Sequence, residues 1–343
     1  MSVNRDERIA SSKTKVLAPF ELDLSLRFYS PQDNLDAFEH PLISAFHEFL
    51  LHEYVPALPE GQAILLLLPC TRTKPYPAST EHRGINAALL RAGFRPSGGV
   101  PTPSALERVL EANEDPSLLD TSPLIRDGTV LHRMVVSEPM GVVPYEHAYW
   151  WRGVPSPAAQ YDDPGLFEAR GTSVSPWRSD STARPSSRRG KWLWGDGERY
   201  AYAAVHNQLS QLIAAAISRI AARYETRLAW VAPGLTHRSF LASSSMRLAE
   251  RLPSYREVAG QRIPLVGVND IAPELVDIHP SRAEIDDSLV RLGIRLRAEH
   301  GSVSRASVLA HFARGGRAAT PIVLPELLTH LITLVSPSDA TLR

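Results

Sequence analysis

The chain has 343 residues, 37 Lys and Arg against 37 Asp and Glu, a hydrophobic fraction of 43% and a single cysteine, Cys70. One cysteine excludes a disulfide within the chain, a thiolate metal cluster and a Cys-x-x-Cys pair, and it points to a reducing compartment, with the cytoplasm as the default. The balanced charge gives no global polyanion footprint, so any contact with nucleic acid must be local.

Residues 1–18 are polar, read as a disordered N-terminus, and lack the apolar core of a secretory signal. In 20–28, Phe20, Leu22, Leu24, Leu26 and Phe28 alternate with other residues, which predicts a half-buried strand. Residues 34–54 read as helical. The apolar run 63–68 is far short of the roughly 18 residues that cross a bilayer, so no membrane partner is expected. Bounded by Gly61 and Pro69, its segment 64–68 predicts a central strand buried on both faces. A turn-rich loop, 71–79, leads into a helix over 80–92 with Ser79 or Thr80 as its N-cap.

The same order recurs twice. A strand over 130–136 precedes the loop 137–145, and after a long helix over 200–224 a strand over 228–232 precedes the loop 233–237. Three strands, each running into a polar loop, predict an α/β fold with an open, mainly parallel sheet sandwiched by helices and a site at the strand C-termini. Residues 169–190, rich in Ser, Arg, Gly and Pro, read as a mobile loop within a core spanning 19–245. The remainder, 246–343, reads as a mainly helical C-terminal extension.

The loop after the central strand carries the chemistry. Residues 69–82 hold the only cysteine, Lys74 (one of four lysines), Arg72, Tyr76, Ser79 and His82. A cysteine between a buried strand and a helix N-terminus, beside an ammonium and a guanidinium, sits where a thiolate is favoured. The alternative is a small buried hydrophobe at a strand end.

Written as Pro-Cys, three residues, Lys-Pro-Tyr, two residues, Ser, two residues, His, the segment Pro69 to His82 resembles the signature of the archaeosine synthase core-domain family, with all seven fixed positions present. A second stretch, Pro139-Met140-Gly141-Val142-Val143-Pro144 with Glu146 and then Tyr161-Asp162, is similar to that family's second loop. The resemblance covers roughly residues 60–235. It implies a uracil-DNA-glycosylase-like core and a reaction joining a primary amine, such as lysine, to the nitrile of 7-cyano-7-deazaguanine (preQ0) to form an amidine. The partners it implies are a 7-deazaguanine in tRNA or DNA, or the free base, and a small amine donor.

On this reading either Cys70 adds to the nitrile, with Lys74 and Arg72 keeping it ionised, or the site polarises the nitrile nitrogen while the amine attacks directly, and His82 or Glu146 deprotonates the incoming ammonium. Tyr76 or Ser79 donates to the developing imide nitrogen, and Tyr161 and Asp162 bind substrate, Asp162 holding a base edge or the amine. His237, after the third strand, either enters the site or is an ordinary loop histidine. Arg178, Arg188, Arg189, Lys191 and Trp192 are the candidates for phosphate and base contact. No cofactor is implied, and no run of histidines or carboxylates has metal-ligand spacing. Two other readings are a non-catalytic relative that binds a modified base and a glycosylase-like hydrolase.

Overall fold

The computed structural model describes residues 4–187, 190–315 and 319–336. One sheet organises it, built from β1 (Gln62–Pro69), β2 (Arg95–Pro96), β3 (Leu124–Arg126), β4 (Thr129–Ser137), β5 (Gly141–Pro144), β6 (Thr226–Trp230) and β7 (Asp277–His279). The order is β7-β6-β1-β4-β3-β2, with β5 beside the second half of β4. The strands β7, β6, β1 and β4 are mutually parallel, whereas β3 and β5 are antiparallel to β4, and β2 is antiparallel to β3 at the sheet edge. The fold is therefore mixed α/β with a parallel centre.

The expected strand 64–68 is that centre. Its continuous apolar run is what burial on both faces demands, and Leu65 to Leu68 are fully buried. Each such leucine contributes roughly 1.5–3 kcal/mol of hydrophobic stabilisation. The chain leaves β1 to form β4 on one side and later returns to form β6 on the other. The carboxyl end of β1 therefore opens at a topological switch point, the usual place for a ligand crevice in such sheets.

The N-terminal segment departs from expectation. Residues 5–13 form helix α1 (Arg5–Lys13), capped by the Asn4 side chain. The helix is tied down by polar contacts: Arg8 donates to the Val174 carbonyl at 2.6 Å, and Ser12 donates to Asp162 at 2.6 Å. An anchor made of such contacts leaves no apolar periodicity to read. Residues 20–28 are not a strand either. They form a turn and a single bridge, Arg27 with Asp162, because their backbone bonds go to Gln160 and Asp162 and to each other.

Residues 34–54 are helical but interrupted, as α2 (Pro31–Asp36), a 3-10 turn, α3 (Pro41–Glu48) and a π-helical turn. Pro41 has no N–H with which to continue the preceding run. Helix α4 (Thr80–Arg91) starts where the sequence placed it, with the Ser79 hydroxyl accepting from the His82 N–H at 3.1 Å. Helix α5 (Asp196–Ile220) packs so closely on β5 that a Cβ at Gly141 would lie 2.6 Å from Leu212.

The segment 169–187 is not the loose loop its composition suggested. Ser173, Val174 and Ser175 are buried, the Trp194 indole donates to the Ser173 carbonyl at 2.9 Å, and Arg178 pairs with Asp33, Asp36 and Asp180 at 2.7–2.8 Å. Beyond 235 the chain forms α6 (Thr236–Leu241), α7 (Ser244–Glu250), a hairpin of Tyr255–Val258 with Gln261–Pro264, α8 (Val268–Ile271), α9 (Arg282–His300), α10 (Arg305–Arg314) and α11 (Pro325–Val335). The mainly helical extension thus also supplies β7 to the central sheet. Among the described residues no helix is long and apolar enough to cross a membrane.

Candidate active site

Three side chains meet where the central parallel strands end. Cys70 follows β1, its N–H donating to the Val136 carbonyl at 2.9 Å, and Glu138 follows β4 in the adjacent register. His237 enters from the first turn of α6, after β6. The His237 Nε2 lies 3.2 Å from the Cys70 Sγ and 3.2 Å from the Glu138 Oε2, and the sulfur is 3.8 Å from that same oxygen. Glu138 and His237 are buried and Cys70 is half-buried. Burial opposes charge on His237, but the Glu138 carboxylate and the Cys70 sulfur outweigh it and hold the proton well above the ordinary imidazole range. Burial would likewise raise Glu138, and the His237 imidazolium brings it below the usual carboxylate range instead.

The motif loop builds the wall beside this cluster. Lys74 is buried, donates to the Thr71 carbonyl, and places its Nζ 4.4 Å from the Tyr161 ring centroid. Burial lowers its pKa, while the nearby Cys70 sulfur favours its charge. Tyr76, Tyr161 and Ser137 close a hydrogen-bonded triangle: Tyr76 to Ser137 is 3.0 Å, Tyr76 to Tyr161 is 3.0 Å and Ser137 to Tyr161 is 2.6 Å. Both tyrosines are within electrostatic reach of Cys70. The loop is strapped from outside by the N-terminal segment, with backbone bonds from Lys74 to the Lys15 carbonyl and from Leu17 to the Lys74 carbonyl.

Several expected site residues have other duties. His82 donates from Nε2 to the Pro69 carbonyl at 2.9 Å and accepts at Nδ1 from the Tyr145 hydroxyl at 3.1 Å, so both nitrogens are occupied. Burial pushes its pKa down to about 4. It props the Pro69–Cys70 junction from beneath. Ser79 accepts from the His82 N–H as the N-cap of α4.

Glu146 is bound by His132 at 3.0 Å and by the Tyr54 hydroxyl at 2.7 Å, away from the Cys70 cluster. Burial alone would raise it, yet His132 holds it at about 2. Asp162 accepts from Lys15 and Ser12, each at 2.6 Å, which anchors the strap. Arg72 is exposed. Of the basic candidates near 180, Arg178 is committed to its three aspartates, Trp192 packs against the core, Lys191 is exposed, and Arg188 and Arg189 lie outside the described residues.

The reading from sequence overlooked Glu138 and left His237 undecided. The available signal was positional: Glu138 stands one residue past a parallel strand end, as Cys70 does. Two more acids border the cluster. Burial raises Glu81 to about 7, with His237 pulling the other way, and burial together with Glu138 raises Asp163 well above the carboxylate range. Glu81 Oε1, Glu138 Oε1, Asp163 Oδ2 and His237 Nδ1 are buried with no hydrogen-bond partner among the described residues. Buried polar atoms left open in this way around one thiol are suited to a polar ligand that can both donate and accept hydrogen bonds. Cys70, Glu138 and His237 also offer the donor set of a cation.

Set beside known protein families, curated proteins and solved structures, the chain matches none of them.

Proposed function

We propose that the protein is an archaeosine-synthase-like, amidine-forming enzyme that uses Cys70 to add a primary amine to the nitrile of 7-cyano-7-deazaguanine, carried in tRNA or DNA or free. The observation that carries this reading is the contact of His237 with Cys70, the cysteine of the loop that bears the Pro-Cys, Lys-Pro-Tyr, Ser and His signature. The parallel centre of the sheet supports the uracil-DNA-glycosylase-like relationship that the signature implies.

The chemistry follows from the contacts. The Cys70 thiolate attacks the nitrile carbon while His237 delivers its Nε2 proton to the nitrile nitrogen, giving a thioimidate. The buried Lys74 ammonium offsets the negative charge near the sulfur. The ammonium of the amine donor gives one proton to the now neutral imidazole, and the free amine attacks the same carbon. The C–S bond breaks, the sulfur leaves as thiolate, and the product leaves as an amidinium, which keeps the second proton of the attacking nitrogen, with His237 again protonated. Glu138 stabilises the imidazolium in both protonated stages.

The test is to incubate the protein with preQ0-containing tRNA or DNA, or the free base, and a panel of primary amines including lysine, then to look for the amidine by mass spectrometry after digestion. An amidine that depends on Cys70 supports the reading. Failure with every carrier and amine overturns it, and tight binding without turnover leaves the non-catalytic, modified-base-binding alternative.

A further inference from the structure

In a nucleophile, imidazole and carboxylate relay, the acid grips the ring nitrogen opposite the nucleophile. Here Cys70 and Glu138 converge on the same nitrogen, Nε2 of His237, and Nδ1 has no partner among the described residues. The three atoms form a compact triangle with sides of 3.2, 3.2 and 3.8 Å. A tetrahedral zinc ion, with bonds of about 2.3 Å to sulfur and about 2.0 Å to nitrogen and oxygen, separates such ligands by roughly 3.3–3.6 Å. Each side of the triangle is within about 0.3 Å of the corresponding edge of that tetrahedron, so small side-chain shifts suffice to seat the ion.

We propose that Cys70 Sγ, Glu138 Oε2 and His237 Nε2 form a binding site for one thiophilic divalent cation of the Zn²⁺ class, with its fourth coordination position open. The donor set selects the metal. Thiolate with imidazole disfavours Mg²⁺ and Ca²⁺, which prefer oxygen, and the carboxylate brings the protein ligands to three, the number a zinc site with an open fourth position uses. The ligands come from two strand ends and the first turn of α6, all held by the fold, so little ordering is needed on binding. On the covalent reading above, a bound cation withholds the sulfur from the nitrile, making Zn²⁺ a reversible inhibitor that a chelator relieves.

The site is tested without any nitrile substrate. The full chain is titrated calorimetrically with Zn²⁺ and spectroscopically with Co²⁺, and the accessibility of Cys70 to iodoacetamide is followed in parallel. The expected result is one Zn²⁺ per chain, a sulfur-to-cobalt charge-transfer band with tetrahedral ligand-field absorption, and protection of Cys70 from alkylation. Stoichiometric binding should be lost in Cys70→Ser and His237→Gln and kept in Arg178→Ala. Absence of the charge-transfer band in the wild-type protein overturns the proposal, whether or not the variants fold. Zn²⁺ binding that survives both ligand substitutions also overturns it, since the ion is then held elsewhere. A protein that binds Zn²⁺ as described yet forms no amidine refutes the proposed function and leaves the metal site standing.

Discussion

Cys70 and His237 are 167 residues apart in sequence, yet sulfur and imidazole nitrogen are 3.2 Å apart. The parallel strands β1 and β6 lie side by side, which brings the two loops that follow them to the same edge of the sheet. Replacing His237 with Gln keeps the size of the side chain and removes its proton transfer. The account predicts a fall in amidine formation of about 10²–10⁴-fold, the range for losing a general acid-base group. Single-turnover kinetics with saturating amine measure it, and a variant within a factor of a few of wild type contradicts the assignment.

The strap from the N-terminus carries a buried ion pair, Lys15 to Asp162 at 2.6 Å, with Asp162 almost fully buried. Lys15→Met strands that carboxylate and should cost about 3 kcal/mol, in the range for breaking a buried pair. Adding Asp162→Asn should restore part of the loss, because the uncompensated charge is gone. Urea denaturation of the single and double variants reads this coupling, and additive effects would show that the pair does not hold the strap.

Much of the framework was legible because it obeys simple patterns. Residues 64–68 are continuously apolar and became the central strand; Ser79 precedes a helical run and became its cap. The N-terminal helix and the segment 169–187 were not legible because their anchors are polar: Ser12 and Lys15 on Asp162, and Arg178 on three aspartates. Such contacts have no period along the chain. In the site, Cys70 and Lys74 stood out by rarity and clustering. Glu138, one acid among many, acquires meaning only when strand pairing sets it beside Cys70. His82 and Glu146 stood out because their residue types suit catalysis, whereas the partners that hold them, Pro69 with Tyr145 and His132 with Tyr54, are not visible in the sequence.

His82 also predicts a pH dependence. Its folded pKa, about 4, lies below the unfolded value of about 6.5, so the unfolded chain takes up a proton that the folded chain refuses. The stability linked to this group is fully present above about pH 6.5 and is lost as the pH falls toward 4. Comparing wild type with His82→Gln isolates it from other titrating groups. The stability difference between the two should shrink by up to about 3 kcal/mol from neutral pH to about pH 4, and a constant difference contradicts the neutral, buried assignment.

Arg178 is bound to Asp33, Asp36 and Asp180 and is assigned to holding the 169–187 segment against α2. Arg178→Ala should lower stability by about 1 kcal/mol, the scale of a partly exposed ion-pair network. Its affinity for tRNA or DNA oligonucleotides, measured by fluorescence anisotropy, should match wild type. A weakened complex in a variant of unchanged stability would return Arg178 to the nucleic-acid interface.

The central claim is that Cys70 becomes covalently attached to the nitrile carbon, and omitting the amine should let the thioimidate accumulate. Intact-protein mass spectrometry of the chain incubated with 7-cyano-7-deazaguanine alone tests this most directly. The account predicts a gain equal to the full mass of the nitrile compound, since addition expels nothing, located on the peptide that contains Cys70 and absent from Cys70→Ser. Amidine formation by Cys70→Ser at the wild-type rate, or an adduct mapped to any other residue, would contradict it.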